Sequence, residues 1–62
     1  MDPMDEDLIR IANNVAIALG RMEDDLGIAD IAIDLDDGDY PVVKFYEDEY
    51  GHEVTLVVAP GA

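Results

Sequence analysis

The strongest constraint on what this chain can fold into is its charge: sixteen Asp and Glu against three Lys and Arg, a net charge of −13 in 62 residues. That density of like charge repels itself and works against any compact state. A domain of this size has only about 3–5 kcal/mol of stability to set against it. Such an excess therefore calls for a very salty solvent, a basic partner, or an unfolded chain. The third is disfavoured, because disordered acidic segments are poor in β-branched and aromatic residues. Here half of the residues are hydrophobic, and Ile and Val recur at regular spacing. One folded domain spanning residues 1–62 is expected.

A chain this short buries only about 60% of its unfolded surface, so a deep pocket is not expected. It contains no Cys, so neither disulfides nor zinc-thiolate sites can brace it. The N-terminal run Met1-Asp2-Pro3-Met4-Asp5-Glu6-Asp7 is acidic where a secretory signal is basic. The longest apolar run, Val15 to Leu19, is too short to cross a bilayer. Negative charge also repels nucleic acid and anionic lipid. A cytoplasmic protein without direct nucleic-acid or membrane contact is the expectation.

The pattern predicts an α+β fold, an N-terminal helix followed by a three-stranded antiparallel meander. Asp2 reads as N-cap and Pro3 as the first helical residue, with Asp5, Glu6 and Asp7 at the positive end of the dipole. Leu8, Ile11, Ala12, Val15, Leu19, Met22 and Leu26 follow spacings of three and four and form one apolar stripe, and Gly27 ends the helix. Glu23, Asp24 and Asp25 then crowd the last turn, where the dipole favours cations, at a cost of about 0.3–1 kcal/mol each. Ile17 points away from the stripe, near Arg10, Asn13, Asn14 and Arg21, and is either a lone exposed Ile or a dimer or partner contact.

Beyond Gly27 the period becomes two. Ile31, Ile33 and Leu35 face the core while Asp30, Ala32, Asp34 and Asp36 face outward, and Asp37-Gly38-Asp39 is a turn. Val43 and Phe45 continue the inner face, opposite Tyr40, Val42, Lys44 and Tyr46. Pro41 lacks a donor, so full pairing begins at Val42. Glu47-Asp48-Glu49-Tyr50-Gly51 makes a second acidic turn, and Val54, Leu56 and Val58 complete the inner face. The helix stripe then covers one face of the sheet, giving two layers.

Catalytic residue types are scarce: no Ser, Cys or Trp, one Thr and one His. Nucleophilic triads are thereby excluded. The isolated glycines form no phosphate-binding loop. His52, between Glu49 and Glu53, reads as a turn-flanking histidine or as a pH sensor or metal ligand. Asp34-Leu35-Asp36-Asp37-Gly38-Asp39 superficially suggests a calcium loop, but with Gly38 sixth the ligand positions fall on Ile33, Leu35 and Lys44. No enzyme activity, cofactor or metal is expected.

What remains is the acidic surface. Residues two apart on a strand stand roughly 6.5–7 Å apart on one face. Asp34 and Asp36, with Asp30 further along, therefore make a regular row of negative charge, or merely a solvated face. Asp outnumbers Glu eleven to five and there is a single Lys, which also suits a halophilic subunit or regulatory module in molar salt, where screening acts within about 3 Å. An antitoxin-like or immunity-like protein neutralising a basic toxin would share the same electrostatics.

A tiny acidic α+β protein with a helix from Asp5 to Gly27, three short strands, and acidic turns at Asp36-Asp37-Gly38-Asp39 and Glu47-Asp48-Glu49 resembles the phage-encoded DNA-mimic inhibitors. Among them it is most similar to the small anti-CRISPR proteins that act on type I effector complexes. The resemblance spans the chain in architecture and charge, without a shared motif. It implies evasion of host defence by a non-enzymatic inhibitor, a monomer or weak homodimer, that docks on a basic protein surface normally occupied by nucleic acid. Asp30, Asp34, Asp36, Asp37, Asp39, Glu47, Asp48 and Glu49 would stand in for phosphates, with Tyr46 or Tyr50 as anchoring contacts.

Overall fold

A computed structural model describes residues 6–36 and 38–61. Asp2, Pro3, Asp5 and Asp37, and the roles expected of them, lie outside the described residues. The elements follow in the order α1 (Glu6–Arg21), α2 (Glu23–Leu26), β1 (Ile28–Asp34), β2 (Val42–Glu47) and β3 (Glu53–Val57). The three strands form an antiparallel sheet in the order β1-β2-β3, with α1 packed on one face. This is the expected α+β arrangement.

The helical region departs from the single helix expected. Met22 leaves helical geometry at φ −115° and ψ 15°, and a separate turn, α2, follows it. The break changes the electrostatics of Glu23, Asp24 and Asp25, which occupy the first turn of α2 and not the last turn of a long helix. The last turn of α1 carries Arg21 instead. Both ends thus match the dipole rule that a continuous helix would violate. Gly27 closes α2 in the left-handed conformation (φ 66°), its N–H donating to the Glu23 carbonyl at 2.8 Å. That conformation strains any residue with a Cβ.

The core is small. Ala12, Ile28, Val43 and Phe45 form its buried cluster, with Val15, Ala16, Leu19, Ile31, Ile33, Val54 and Val58 packed around it. Of the expected helix stripe, Ile11, Met22 and Leu26 remain more than 40% exposed. Met22 stands at the break itself and Leu26 at the end of the short α2 beyond it. Leu35, expected on the inner face, falls beyond the end of β1 and is also exposed. Val42, expected on the open outer face, is 3% exposed, enclosed on the middle strand between its register partners Asp34 and Val57.

The alternation of β1 is broken at Asp30. Ala29 lies opposite Tyr46 and Ala32 opposite Lys44, so Asp30 and Ile31 together face the single Phe45. Asp30 has φ 59°, the conformation of the first residue in a glycine-type bulge, here adopted by an Asp. The bulge reconciles two buried positions. Ile28 and Ile31 are three apart and would point to opposite faces of a regular strand. The extra residue brings both onto the core.

At the far end of β1, Pro41 accepts the Val58 N–H at 2.9 Å while offering no donor of its own, and regular pairing starts at Val42 as expected.

Candidate functional site

The outward acidic residues fall into two groups at opposite ends of the sheet. Separating them is the length of β1, roughly 20 Å at 3.3 Å per residue. One end holds Asp34, Asp36 and Asp39, at the β1–β2 connection. At the other, the β2–β3 turn with Asp48 and Glu49 meets α2 with Glu23, Asp24 and Asp25. The Asp48 N–H donates to the Gly27 carbonyl at 2.7 Å, which fastens that turn to the C-terminus of α2. Two acidic runs more than twenty positions apart in sequence thus share one end of the molecule.

Two of the expected phosphate mimics have their carboxylates engaged within the fold. Asp34 accepts the Lys44 ammonium at 3.1 Å and the Asp36 N–H at 2.9 Å. The backbone hydrogen bond, and then Lys44, hold its pKa below the ordinary Asp value. Lys44 reaches it diagonally across the outer face, since Lys44 itself stands opposite Ala32. Glu47 is more heavily used. It stands opposite Ile28, and its carboxylate accepts backbone N–H groups from Glu49 at 2.9 Å, Tyr50 at 2.9 Å and His52 at 3.1 Å. These bonds, the one from His52 foremost, hold its pKa below the ordinary Glu value. The turn therefore wraps its N–H groups around its own anion.

His52 completes this arrangement: its Nδ1 lies 3.1 Å from Glu47 Oε1, and its ring tilts against Tyr50 with centroids 5.9 Å apart. Gly51, at φ 75°, returns the chain, its N–H bonding the Glu47 carbonyl at 3.1 Å. The histidine follows the turn directly, one residue after Gly51.

Asp30, Asp36, Asp39, Asp48 and Glu49 are exposed. The regular row expected of Asp30, Asp34 and Asp36 is not formed. Asp30 sits in the bulge, Asp36 lies in a bend after β1, and Asp34 is paired with Lys44. Strand periodicity holds only while the strand is regular, and β1 is regular for too few residues to carry the row. Tyr46, on the outer face, places its hydroxyl 3.4 Å from Glu53, and Tyr50 is 74% exposed at the turn. Tyr46, Asp48, Glu49 and Tyr50 belong to the α2 end, with Asp30 on the neighbouring strand.

Sequence reasoning singled out Glu23, Asp24 and Asp25 as charged but did not join them to Asp48 and Glu49. The adjacency depends on the break at Met22 and the hydrogen bond at Gly27. The one sequence signal for it is the set of misplaced acids itself. Ile17, as expected, is exposed on α1, away from the sheet.

Among the described residues no group of three or more His, Asp or Glu is close enough to hold a metal ion. Among the same residues no helix is long and apolar enough to cross a membrane. Comparison with protein-family models, with curated proteins and with solved structures returns no match.

Proposed function

We propose that this protein is a non-enzymatic inhibitor that occupies a Lys/Arg-lined nucleic-acid path on a protein target and excludes DNA by charge mimicry. A type I CRISPR effector complex is the target to test first. The observation that carries this reading is the joined acidic end. Glu23, Asp24, Asp25, Asp48 and Glu49 come from two segments held together by the Asp48–Gly27 hydrogen bond, with Tyr50 exposed beside them. DNA presents one negative charge per roughly 3.4 Å along each strand, and proteins that bind it neutralise those charges with Lys and Arg. A rigid patch of carboxylates satisfies the same cations without counterions. Aromatic side chains among charged ones are enriched at protein interfaces. The engaged carboxylates Asp34 and Glu47 serve the fold, so the contact rests on Asp24, Asp25, Asp30, Asp48 and Glu49, with Asp36 and Asp39 as a second set at the opposite end.

The test is charge reversal. Replacing Asp24, Asp25, Asp48 and Glu49 with Lys changes the net charge by eight, from −13 to −5. None of these four side chains accepts one of the hydrogen bonds described above. Inhibition of target-duplex binding by the effector should fall more than about tenfold with the circular dichroism unchanged. Inhibition retained by a folded variant would remove charge mimicry at this end as the mechanism. One observation favours a second reading, salt adaptation: Asp outnumbers Glu eleven to five and Lys44 is the single lysine. On that reading the chain folds only near molar KCl.

A further inference from the structure

A three-stranded open sheet has two edges, and this protein treats them differently. The β1 edge is interrupted by the bulge at Asp30 and carries Asp30 and Asp34, devices that discourage another strand from adding on. The β3 edge has a single such device, the acid Glu53 at its first residue. It contains no bulge, Lys or Pro between Glu53 and Val57, and Glu53 is the last charged residue of the chain. Two long runs of the sequence lack a charged side chain: the ten positions from Ile11 to Gly20, in α1, and the nine positions from Val54 to Ala62.

The hydrogen bonds define which groups of β3 are open. The Glu47 N–H donates to the His52 carbonyl and the Val58 N–H to the Pro41 carbonyl, so His52, Val54, Leu56 and Val58 turn their backbone groups toward β2. By the alternation of an antiparallel ladder, Glu53, Thr55 and Val57 direct theirs outward. Side chains on both faces of the same strand are uncovered. Leu56, on the inner face, is 39% exposed because α1 lies over β1 and β2, and Val57, on the outer face, is 60% exposed.

We propose that β3 is a homodimerisation edge: two copies pair β3 to β3, antiparallel and two-fold about Thr55, into one six-stranded sheet. The charge distribution selects the second copy as occupant. A basic partner is drawn to the acidic ends, whereas two molecules of net charge −13 approach best where acids are missing, and of the two acid-free stretches, on α1 and on β3, β3 alone turns a row of open backbone groups outward. The register about Thr55 pairs the outward groups of Glu53 with those of Val57 on the other copy and Thr55 with Thr55. It keeps the two Glu53 side chains about four residues apart along the strands, roughly 14 Å. On the inner face it sets Leu56 beside Val54 of the second copy. The contact is isologous, so it closes at two. This inference stands apart from the proposed inhibitory role, because it uses the strand that the acidic contact does not.

The chain has no native Cys, which makes cross-linking unambiguous. Thr55→Cys should form a disulfide-linked dimer on mild oxidation, since paired Cα atoms in a ladder stand about 5.5 Å apart. Ile17→Cys, also exposed but on α1, should not. In sedimentation equilibrium of the native chain, the dimer dissociation constant should fall about tenfold between about 0.1 and 1 M KCl as repulsion is screened. Thr55→Pro deletes an N–H that points away from β2, so it should abolish the dimer with the fold intact. Val57→Glu, which leaves the β2–β3 backbone ladder untouched but sets a second acid opposite Glu53 of the other copy, should weaken it at least tenfold. A native chain that stays monomeric at both salt concentrations overturns the proposal. Equal cross-linking of Thr55→Cys and Ile17→Cys, or dimers undiminished in both edge variants, overturns it as well.

Discussion

Removing Asp30 and removing Ala32 are deletions two positions apart in the same strand, and the bulge makes their consequences opposite. Without Asp30 the strand reads Ile28, Ala29, Ile31, Ala32, Ile33, Asp34, a strict alternation that keeps all three isoleucines on the core. A left-handed conformation costs a residue with a Cβ about 1–2 kcal/mol, and the deletion relieves it together with one unit of negative charge. Lost bulge geometry offsets part of that gain, so stability should stay within about 1 kcal/mol of the parent. Without Ala32, no arrangement keeps Ile28, Ile31 and Ile33 inward. Either Ile31 or Ile33 turns to solvent, losing about 1.5–3 kcal/mol, and an Asp turns inward against apolar side chains. The sum approaches the whole stability of a domain this small, about 3–5 kcal/mol. With 62 residues and an unfolding entropy of about 2.1 cal/mol/K per residue, 1 kcal/mol corresponds to roughly 8 °C. Thermal unfolding followed by circular dichroism should therefore place the Asp30 deletion within about 8 °C of the parent. The Ala32 deletion should melt at least about 20 °C lower or show no cooperative transition. Equal melting temperatures for the two deletions, or loss of folding in the Asp30 deletion alone, would refute the bulge as the device that aligns Ile28 with Ile31.

The remaining predictions concern the acidic groups. Glu47 has a pKa lowered in the folded state, so the stability it confers is present above its unfolded value and is lost as pH falls through the folded one. Glu47→Gln should melt below the parent at pH 7, and the gap should close as pH drops below the ordinary carboxylate range, about 4. A gap that stays constant from pH 7 to the acid limit would show that the charge on Glu47 is not what holds the turn. In a KCl series, a cooperative transition should already exist at about 0.05 M, with the melting temperature rising as salt screens the net charge of −13. Folding confined to molar KCl would instead assign the acidic surface to the solvent.

The fold was legible because its main signals are local. The three-and-four spacing from Leu8 to Leu19 marks α1, the alternation of Val43 with Phe45 and of Val54 with Leu56 marks two strands, and Gly27, Gly38 and Gly51 fall where positive φ is needed. What escaped depends on partners distant in sequence. Ile28 is invisible to a period-two reading because it lies three residues before Ile31, and only the bulge across from Phe45 restores the parity. The break at Met22 is hidden by an apolar residue that fits a continuous stripe. At the candidate site, residue type announced the charge but not its use. Nothing in the sequence separates Glu47, which holds a turn together, from Glu49 two positions later, which faces solvent. Lys44 and Asp34 meet only through the register of β1 on β2.

Charge mimicry requires that DNA and this protein exclude each other from one surface. Its most direct test titrates a labelled target duplex against a type I effector complex at several fixed concentrations of the protein, with binding read by fluorescence anisotropy. Competition predicts an apparent dissociation constant for DNA that rises linearly with protein concentration, an unchanged plateau, and no species containing both ligands. A plateau that falls while the dissociation constant stays fixed, or a ternary complex of effector, DNA and protein, would contradict the account.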